Sequence, residues 1–315
     1  MIVLLTGGTG GAKFLQGLMQ VMPHDQITCI VNTGDDFECW GLNVSPDVDS
    51  ITYALAGLLS RERGWGVDGD TFQCLDVMRR LGAPAWFQIG DRDLGLHAFR
   101  TEKLRAGRTL NEVTAEVTQK LGIRARILPM SDQRVETRLT TADSELSFQE
   151  YFVRERYRVP VSAVRFAGTE RARPASGVVE AIHQAEAVLL APSNPVTSIG
   201  PILAVPGIRE ALRQTPAPVG AVSPIVSGAA VSGPAAELML TQGLPASIAG
   251  VAKAYADFLD VLIPDERDAA AASEVEAMGI RVLCTTTIMK SDADKAALAE
   301  AALQAVQSRS LKATA

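Results

Sequence analysis

The stretch Ile27-Thr28-Cys29-Ile30-Val31-Asn32-Thr33-Gly34-Asp35-Asp36 joins an apolar, β-branched run to a polar loop. The apolar run predicts a strand buried on both faces, which is typical of a parallel sheet. The polar part continues to Ser45-Pro46-Asp47-Val48-Asp49 and carries four aspartates, and we name it the acidic loop (residues 32–49). In open α/β sheets, ligands bind beyond the carboxyl ends of the strands, where this loop lies.

Neighbouring carboxylates repel one another unless they share a positive charge. Hard cations such as Mg²⁺ take oxygen ligands of this kind, especially when the substrate brings phosphate groups. The acidic loop therefore predicts a ligand or metal site. The alternative is a solvated turn in which Asp49 or Ser50 caps the next helix, predicted over Ser50–Leu59.

The beginning of the chain has the same layout of strand, loop and helix. An apolar run, Met1–Leu5, is followed by the glycine loop, Thr6–Gly11, and then by Ala12–Leu18 with helical spacing. Glycines let backbone N–H groups approach a phosphate at a helix N-terminus. The P-loop pattern is absent and the dinucleotide fingerprint fits only loosely. A tight turn that packs helix on sheet is the alternative.

Later strands also end in loops of small residues. The predicted strand Glu186–Ala191 runs into the serine loop, Pro192–Pro201, and the strand Val219–Val222 runs into Ser223–Gly228. Hydroxyl and amide groups at strand ends suit phosphate or ribose recognition. Together these loops predict a crevice at the carboxyl edge of the sheet with a nucleotide diphosphate across it. The fold class predicted is a Rossmann-like three-layer α/β/α sandwich with a mainly parallel sheet.

Two segments depart from the strand–helix alternation. Residues 50–122 have helical spacing, with Gly and Pro breaks, and predict a helical insertion at the ligand edge. A hairpin signal over Arg134–Thr141 and Leu146–Arg154, with a third strand at Val161–Phe166, predicts a small β excursion. The predicted organisation is a nucleotide-binding core of residues 1–49 and 123–315, with the excursion at about 133–168, and the insertion at 50–122.

Composition excludes several classes of protein. The chain has 315 residues, a formal net charge of −6 and a pI near 5.3, so it offers no general basic field for nucleic acid. Four scattered cysteines form no CxxC pair, which argues against a zinc site. We find no signal peptide and no spanning segment, so the expected location is the cytoplasm. A homodimer is expected because two-fold symmetry is the commonest.

One aromatic segment stands out within the insertion. Trp86 and Phe87 precede Gly90-Asp91-Arg92-Asp93 and could line the pocket of a flat ligand. The alternative is a helix-to-helix turn with an Asp–Arg ion pair. His97 follows and receives no role, since an isolated histidine is more often structural.

Taken together, the loops resemble the 2-phospho-L-lactate transferase family over nearly the whole chain and in the same order. The motifs that carry the resemblance are Gly7–Gly11, Asn32–Asp36, Ser45–Asp49, Gly90–Asp93, Ile127–Asp132, Ser193–Pro201 and Val231–Ala235. The resemblance implies transfer of a phospho-acid unit, phospholactate or phosphoenolpyruvate in type, from a guanosine diphosphate-linked donor to the ribityl hydroxyl of the deazaflavin Fo. The resemblance further implies that GMP is released, that Mg²⁺ is the cofactor and that the reaction belongs to coenzyme F(420) biosynthesis.

The resemblance also implies roles by position. Asp49 would be the catalytic residue at the deazaflavin and metal site, and Asp35 and Asp36 would help to hold the metal. Gln88 would contact the acceptor, although archaeal relatives tend to carry Lys there. The insertion would form part of the acceptor pocket. The implied contacts to the donor nucleotide are Thr9, Gly10, Gly11, Lys13, Ser193, Asn194, Thr197, Ser198 and Gly200.

Two other functions compete with transfer. A regulatory protein of the same fold would bind a sugar nucleotide and turn nothing over. A nicotinamide-dependent dehydrogenase would use Asp35 or Asp36 as its ribose-binding acid, but the glycine loop departs from the fingerprint and the acidic cluster exceeds what one ribose needs.

Overall fold

The computed structural model describes residues 1–307; residues 308–315, the end of the predicted core range, lie outside the described residues. Its strands are β1 (Ile2–Thr6), β2 (Ile27–Val31), β3 (Phe37–Cys39), β4 (Leu42–Val44), β5 (Arg126–Pro129), β6 (Glu136–Thr140), β7 (Glu145–Ser147), β8 (Ala163–Ala167), β9 (Ala187–Leu190), β10 (Val219–Val222), β11 (Ile225–Val226), β12 (Ala229–Ala230), β13 (Val261–Ile263) and β14 (Arg281–Val282).

The α-helices are α1 (Gly8–Val21), α2 (Pro46–Leu55), α3 (Gln73–Arg80), α4 (Asp91–Arg105), α5 (Leu110–Lys120), α6 (Val178–Gln184), α7 (Ile199–Ala204), α8 (Ile208–Gln214), α9 (Ala235–Thr241), α10 (Ile248–Tyr255), α11 (Ala272–Glu276) and α12 (Asp292–Gln307). Short 3-10 helices occupy His24–Gln26 and Glu266–Ala271, and Glu150–Arg154 form a π-helical turn. No helix within residues 1–307 is long and apolar enough to cross a membrane.

The main sheet has seven strands in the order β14-β13-β10-β9-β1-β2-β5, and every neighbouring pair is parallel. Strand β1 shows why helices cover both faces. Its residues Val3 and Leu5 belong to a core with α6, α8 and α10, whereas Ile2 and Leu4 belong to a core with α1, α2 and α12. The predicted three-layer α/β fold is confirmed.

The sheet reverses its direction of growth between β1 and β9. From β1 the chain passes through α1 to β2 on one side, and from β9 it passes through α7 and α8 to β10 on the other side. A crevice opens at such a switch point, at the carboxyl ends of the strands, because the connections leave in opposite directions. The glycine loop and the serine loop begin there.

Helix α2 begins earlier than predicted. It starts at Pro46 and ends at Leu55, so Asp49 lies in its first turn and Ser45, not Asp49 or Ser50, is the cap residue. The N–H of Asp49 already donates to the Ser45 carbonyl, at 2.9 Å. Proline suits the first helical position because it lacks an N–H that would otherwise be unpaired and its φ is preset.

The small β excursion has three antiparallel strands in the order β7-β6-β8. The strand predicted over Leu146–Arg154 is wrong beyond Ser147, where the chain turns into the π-helical segment. Phe148 and Phe152, four residues apart, stack with ring centroids 5.3 Å apart, a spacing that favours a helical turn over a strand.

Residues 50–122 contain α3, α4 and α5 and, among named elements, no strand; Leu59 and Val67 form an isolated bridge. The division of the chain into core and insertion stays a prediction. The acidic loop holds a hairpin, β3–β4, that is not among the predicted elements. Its two turn residues, Trp40 and Gly41, both have positive φ, as the tight hairpin turn requires.

Candidate active site

The glycine loop is packed too closely for side chains at its later positions. A Cβ on Gly10 would lie 2.5 Å from the carbonyl oxygen of Pro192, and a Cβ on Gly11 would overlap the hydroxyl of Thr6. Glycine therefore lets α1 approach both β1 and the serine loop. This packing role applies to Gly11 in particular, because it is buried.

The other predicted donor contacts on α1 are accessible. Thr9 and Lys13 are exposed and Gly10 is half-buried. Their helix starts at Gly8, so the amides of Thr9 and Gly10 belong to its first turn, whose N–H groups lack intrahelical acceptors. Such amides bind anions. The first of these amides, on Gly8, donates to Asp47 Oδ1 at 2.8 Å.

The serine loop is tied directly to the glycine loop. The hydroxyl of Ser193 donates to the Gly7 carbonyl at 2.7 Å and accepts the Gly7 N–H at 3.4 Å. Asn194 shapes the loop, since its Oδ1 accepts the N–H of Val196 at 2.9 Å. The Thr197 hydroxyl is buried and has no hydrogen-bond partner within the described chain.

Ser198 and Gly200, at the end of the serine loop, face different parts of the structure. The Ser198 hydroxyl lies 3.7 Å from where a Cβ on Gly8 would stand, so Ser198 faces the glycine loop. Gly200 faces the β excursion instead, because a Cβ there would lie 3.0 Å from the ring of Phe166. The structure thus brings the predicted donor residues of the two loops together at the switch point, with Gly200 at the far side.

Asn32 connects the acidic loop directly to the serine loop and, through Asp47, to the glycine loop. Its side-chain N–H₂ donates to Asp47 Oδ2 at 2.9 Å, to Asp35 Oδ2 at 3.1 Å and to the carbonyl of Thr197 at 3.3 Å. Its Oδ1 accepts the Gly34 N–H at 2.8 Å, which fixes the orientation of the amide. The ends of β2 and β9 therefore meet at a single amide side chain, and Asp47, which that amide holds, accepts the Gly8 N–H from the loop after β1.

The acidic loop carries more buried negative charge than its partners neutralise. Burial raises the pKa of Asp35 and of Asp36 well above the usual range, and it raises the pKa of Asp47 to about 6. The Asp35 Oδ1 and Asp36 Oδ1 atoms are buried without a partner in the described chain. Ser45 donates to the other oxygen of Asp36, at 2.6 Å. Oxygen atoms in this state are suited to a cation.

Asp49 lies in a second, adjacent group of charges. Arg100 donates from Nη1 to Asp49 Oδ2 at 3.2 Å and from Nη2 to Asp49 Oδ1, which makes a two-point ion pair. His97 Nδ1 lies 3.6 Å from Asp49 Oδ2, and His97 Nε2 lies 3.4 Å from Asp93 Oδ1. The hydroxyl of Tyr53 donates to Asp93.

Arg100 is not among the residues predicted from the sequence, and His97 has no predicted role. A signal was present, because Asp93, His97 and Arg100 recur at spacings of four and three residues and so lie on one face of α4. All three are buried, with exposures of 8%, 1% and 3%. Charged residues that repeat at helical spacing usually mark a solvated face, and here they mark a buried one.

The predicted metal ligands Asp35, Asp36 and Asp49 do not form a ready-made cage. Within residues 1–307, the set of three acidic or metal-binding side chains with ligand atoms within 4.8 Å of one another is Asp49, Asp93 and His97. The two carboxylates of that set face opposite ring nitrogens of His97, and Arg100 already binds Asp49. We therefore interpret this set as an ion-pair network.

An aromatic cluster borders the acidic loop. Phe37 follows Asp36 directly; its ring centroid lies 5.9 Å from that of Trp86, in a stacked arrangement, and 4.7 Å from that of Phe87, edge to face. The Arg154 guanidinium lies 6.0 Å from the Trp86 ring centroid. The three aromatic residues are half-buried, so part of each remains accessible. Gln88, the predicted acceptor contact, is exposed.

Comparison with known proteins identifies the family. The profile described as 2-phospho-L-lactate transferase CofD matches residues 2–309. The chain belongs to this family. The family prediction is therefore confirmed, and with it a place among the transferases of coenzyme F(420) biosynthesis.

Members of the CofD family with two different names are similar to the chain. The phosphoenolpyruvate transferase of Streptomyces griseus is 45% identical over 96% of this chain and 97% of its own length. The 2-phospho-L-lactate transferase of Methanosarcina mazei is 40% identical over 96% of this chain and 100% of its own length. The 2-phospho-L-lactate transferase of Methanospirillum hungatei is 45% identical over 86% of this chain and 90% of its own length.

A solved structure shows the same fold at low identity. The UPF0052-family protein BH3568 of Bacillus halodurans superposes with a TM-score of 0.64 at 18% identity, covering 96% of this chain and 98% of its own. At this identity the likeness concerns the fold alone.

Proposed function

We propose that the protein transfers a three-carbon phospho-acid unit from a guanosine diphosphate-linked donor to the ribityl hydroxyl of the deazaflavin Fo and releases GMP. The observation that carries this proposal is the meeting of three loops at the hydrogen-bonded pair Asn32 and Asp47. The start of helix α1, with first-turn amides that lack intrahelical acceptors, shares one crevice with a loop of small polar residues and a cluster of undercompensated carboxylates. The names of the CofD relatives support a phospholactate or a phosphoenolpyruvate unit.

Mg²⁺ fits the donor set of the acidic loop. Asp35 and Asp36 each have a buried oxygen without a partner, and burial raises the pKa of both, which means that the charged forms lack compensation. Asp35, Asp36 and Asp49 would hold the ion together with donor phosphates and water, the usual mode for this metal. When bound, the ion would supply charge neutralisation to the diphosphate and to the leaving GMP.

The nucleotide donor would lie across the switch point. The first-turn amides of Thr9 and Gly10 can bind the diphosphate, and Ser198 faces the same space. Asp47 beside them would repel phosphate when ionised, and its pKa of about 6 makes that repulsion depend on pH and on a nearby cation. Lys13, exposed on the same helix, adds positive charge on the solvent side.

The acceptor would approach from the aromatic side. The half-buried rings of Phe37, Trp86 and Phe87 offer a surface on which a flat deazaflavin can stack. In the reaction the ribityl hydroxyl oxygen bonds to phosphorus, the bond from phosphorus to the GMP oxygen breaks, and the hydroxyl proton is transferred to a carboxylate oxygen of Asp49. Each Asp49 oxygen retains a free lone pair beside the Arg100 contact. Phosphoryl-type transfer needs mainly positioning and charge neutralisation.

The test is a transfer assay with purified Fo and each of two donors, GDP-linked phospholactate and GDP-linked phosphoenolpyruvate, with Mg²⁺ or with EDTA. GMP and the phospho-acid ester of Fo are quantified by mass spectrometry. We expect Mg²⁺-dependent product with one donor preferred. Asp49→Asn should abolish product and keep the fold, whereas Asp25→Asn, at an exposed position, should be unaffected.

Two results would contradict the proposal. Asp49→Asn with normal turnover would remove the catalytic assignment. Tight binding of a nucleotide without transfer to Fo, under every condition, would favour the regulatory nucleotide-binding protein.

A further inference from the structure

Helix α4 has a buried charged face that the reaction described above does not use. Arg100, 3% exposed, contacts Asp49, donates from Nη1 to the carbonyl of Asn43 at 3.3 Å and lies 3.4 Å from His97 Nδ1. Thr101, next to it on the helix, donates to the His97 carbonyl at 2.7 Å and accepts the Asn43 N–H at 2.7 Å. The face is therefore fixed both to its own helix and to strand β4.

Stability alone gives little reason to bury these charges. Ion pairs taken out of water lose hydration that their mutual attraction often only balances, so apolar residues of similar size would serve the fold as well. What the ion pair does provide is orientation. A guanidinium holds a carboxylate through two parallel hydrogen bonds and so sets both its position and its plane.

We propose that Arg100, supported by His97 and Asp93, is a positioning residue that holds Asp49 in the orientation required for transfer and for cation binding. The proposal rests on the proposed function, since it assumes that Asp49 acts in transfer. Arg100 reaches Asp49 from α4, and Asp93 is anchored in turn by Tyr53, which lies one turn after Asp49 on α2. The two helices thus hold the carboxylate between them.

The variant that separates orientation from charge is Arg100→Lys. Lysine keeps the positive charge but presents a single point of contact in place of the planar fork. Arg105→Lys is the matched control, because Arg105 is an exposed arginine of the same helix. Both proteins are compared with the wild type by thermal melting, by kcat and KM for transfer to Fo, and by electron paramagnetic resonance titration with Mn²⁺ in the presence of GDP.

We expect Arg100→Lys to fold and to lower kcat by about tenfold to a hundredfold, with KM for both substrates changed less than about threefold. Mn²⁺ binding should weaken by about tenfold. Arg105→Lys should match the wild type in all three measurements. A purely structural role would instead lower the melting temperature without this division between kcat and KM.

A folded Arg100→Lys protein with wild-type kcat and wild-type Mn²⁺ affinity would overturn the proposal. If the wild type itself transfers nothing to Fo, the proposed function fails, and the Mn²⁺ titration still decides whether Arg100 orients Asp49. Should Arg100→Lys not fold, His97→Gln serves in its place. It should lower kcat and leave KM unchanged, and wild-type kcat in that variant would equally overturn the proposal.

Discussion

The stability of the protein without a divalent cation should depend on pH through Asp47. This side chain is 7% exposed and accepts hydrogen bonds from the Gly8 N–H and from Asn32. Burial raises its pKa to about 6 from an ordinary value of 3.8. Because the folded-state pKa is the higher one, the folded protein binds the proton more tightly than the unfolded chain does. Stability is therefore greatest below the unfolded value and is lost as the pH rises through about 6.

The size of the effect follows from those two pKa values. Relative to low pH, where Asp47 is protonated in both states, linkage lowers the free energy of unfolding by about 1.6 kcal/mol at pH 5 and by about 3 kcal/mol at pH 8. The difference, about 1.4 kcal/mol, is what Asp47→Asn should remove. The hydrogen bonds that the substitution also disturbs cost much the same at both pH values, so they cancel in the difference. Asp47 raises the pKa of Asp35 as well, which adds to the effect with the same sign.

The assay is urea unfolding in EDTA at pH 5 and at pH 8, followed by circular dichroism. The free energy of unfolding of the wild type should fall between the two pH values by about 1.4 kcal/mol more than that of Asp47→Asn. Carboxylates whose pKa is lowered in the fold contribute the same slope to the wild type and to Asp47→Asn, so they cancel in this comparison. Asp25→Asn, at an exposed site, is the control. Equal pH dependence in the wild type and Asp47→Asn would refute a buried, proton-binding Asp47.

Three further predictions concern packing and the two substrate sites. Gly7→Ala should lower the free energy of unfolding by about 1–3 kcal/mol, because a Cβ there would lie 2.5 Å from Asp47 Oδ2. Gly95→Ala, in open space on α4, should raise the free energy of unfolding by about 0.5–1 kcal/mol. The midpoints of urea unfolding test both substitutions. Ser198→Ala should weaken GDP binding more than Fo binding by calorimetry, and equal losses would count against a donor role. Trp86→Ala should weaken Fo binding about tenfold by fluorescence titration and leave GDP binding unchanged.

The sheet and its ligand edge could be predicted because the information is local. Strand β2 has the predicted bounds, Ile27–Val31. An apolar β-branched run favours a strand, and the Asn, Thr and Gly that follow it favour a turn that ends the strand. Glycines after β1 and serine, proline and asparagine after β9 likewise mark strand ends through their own backbone preferences. Parallel topology then gathers those ends at one edge.

The part of the site around Asp49 could not be predicted in the same way. Its arginine partner is 51 residues away along the chain, and nothing in the local sequence of α4 indicates which element covers its polar face. The start of α2 was missed for a different reason. Proline is common in loops and also, as here directly after the cap residue Ser45, at the first position of a helix, so its presence does not decide between the two.

The hydrogen bonds between Ser193 and Gly7 join residues 186 positions apart in the chain. Asn32 reaches Thr197 across 165 positions, and the backbone of Thr137 donates to the Gly34 carbonyl at 2.7 Å. Bringing together residues this far apart in the chain lowers the chain entropy, and this unfavourable change comes before the stabilising contacts form. A growing chain has therefore made none of these contacts after its first fifty residues, although the four aspartates of the acidic loop are already present. The crevice between the glycine loop and the serine loop can form only when β9 pairs with β1, after more than half of the chain has been made.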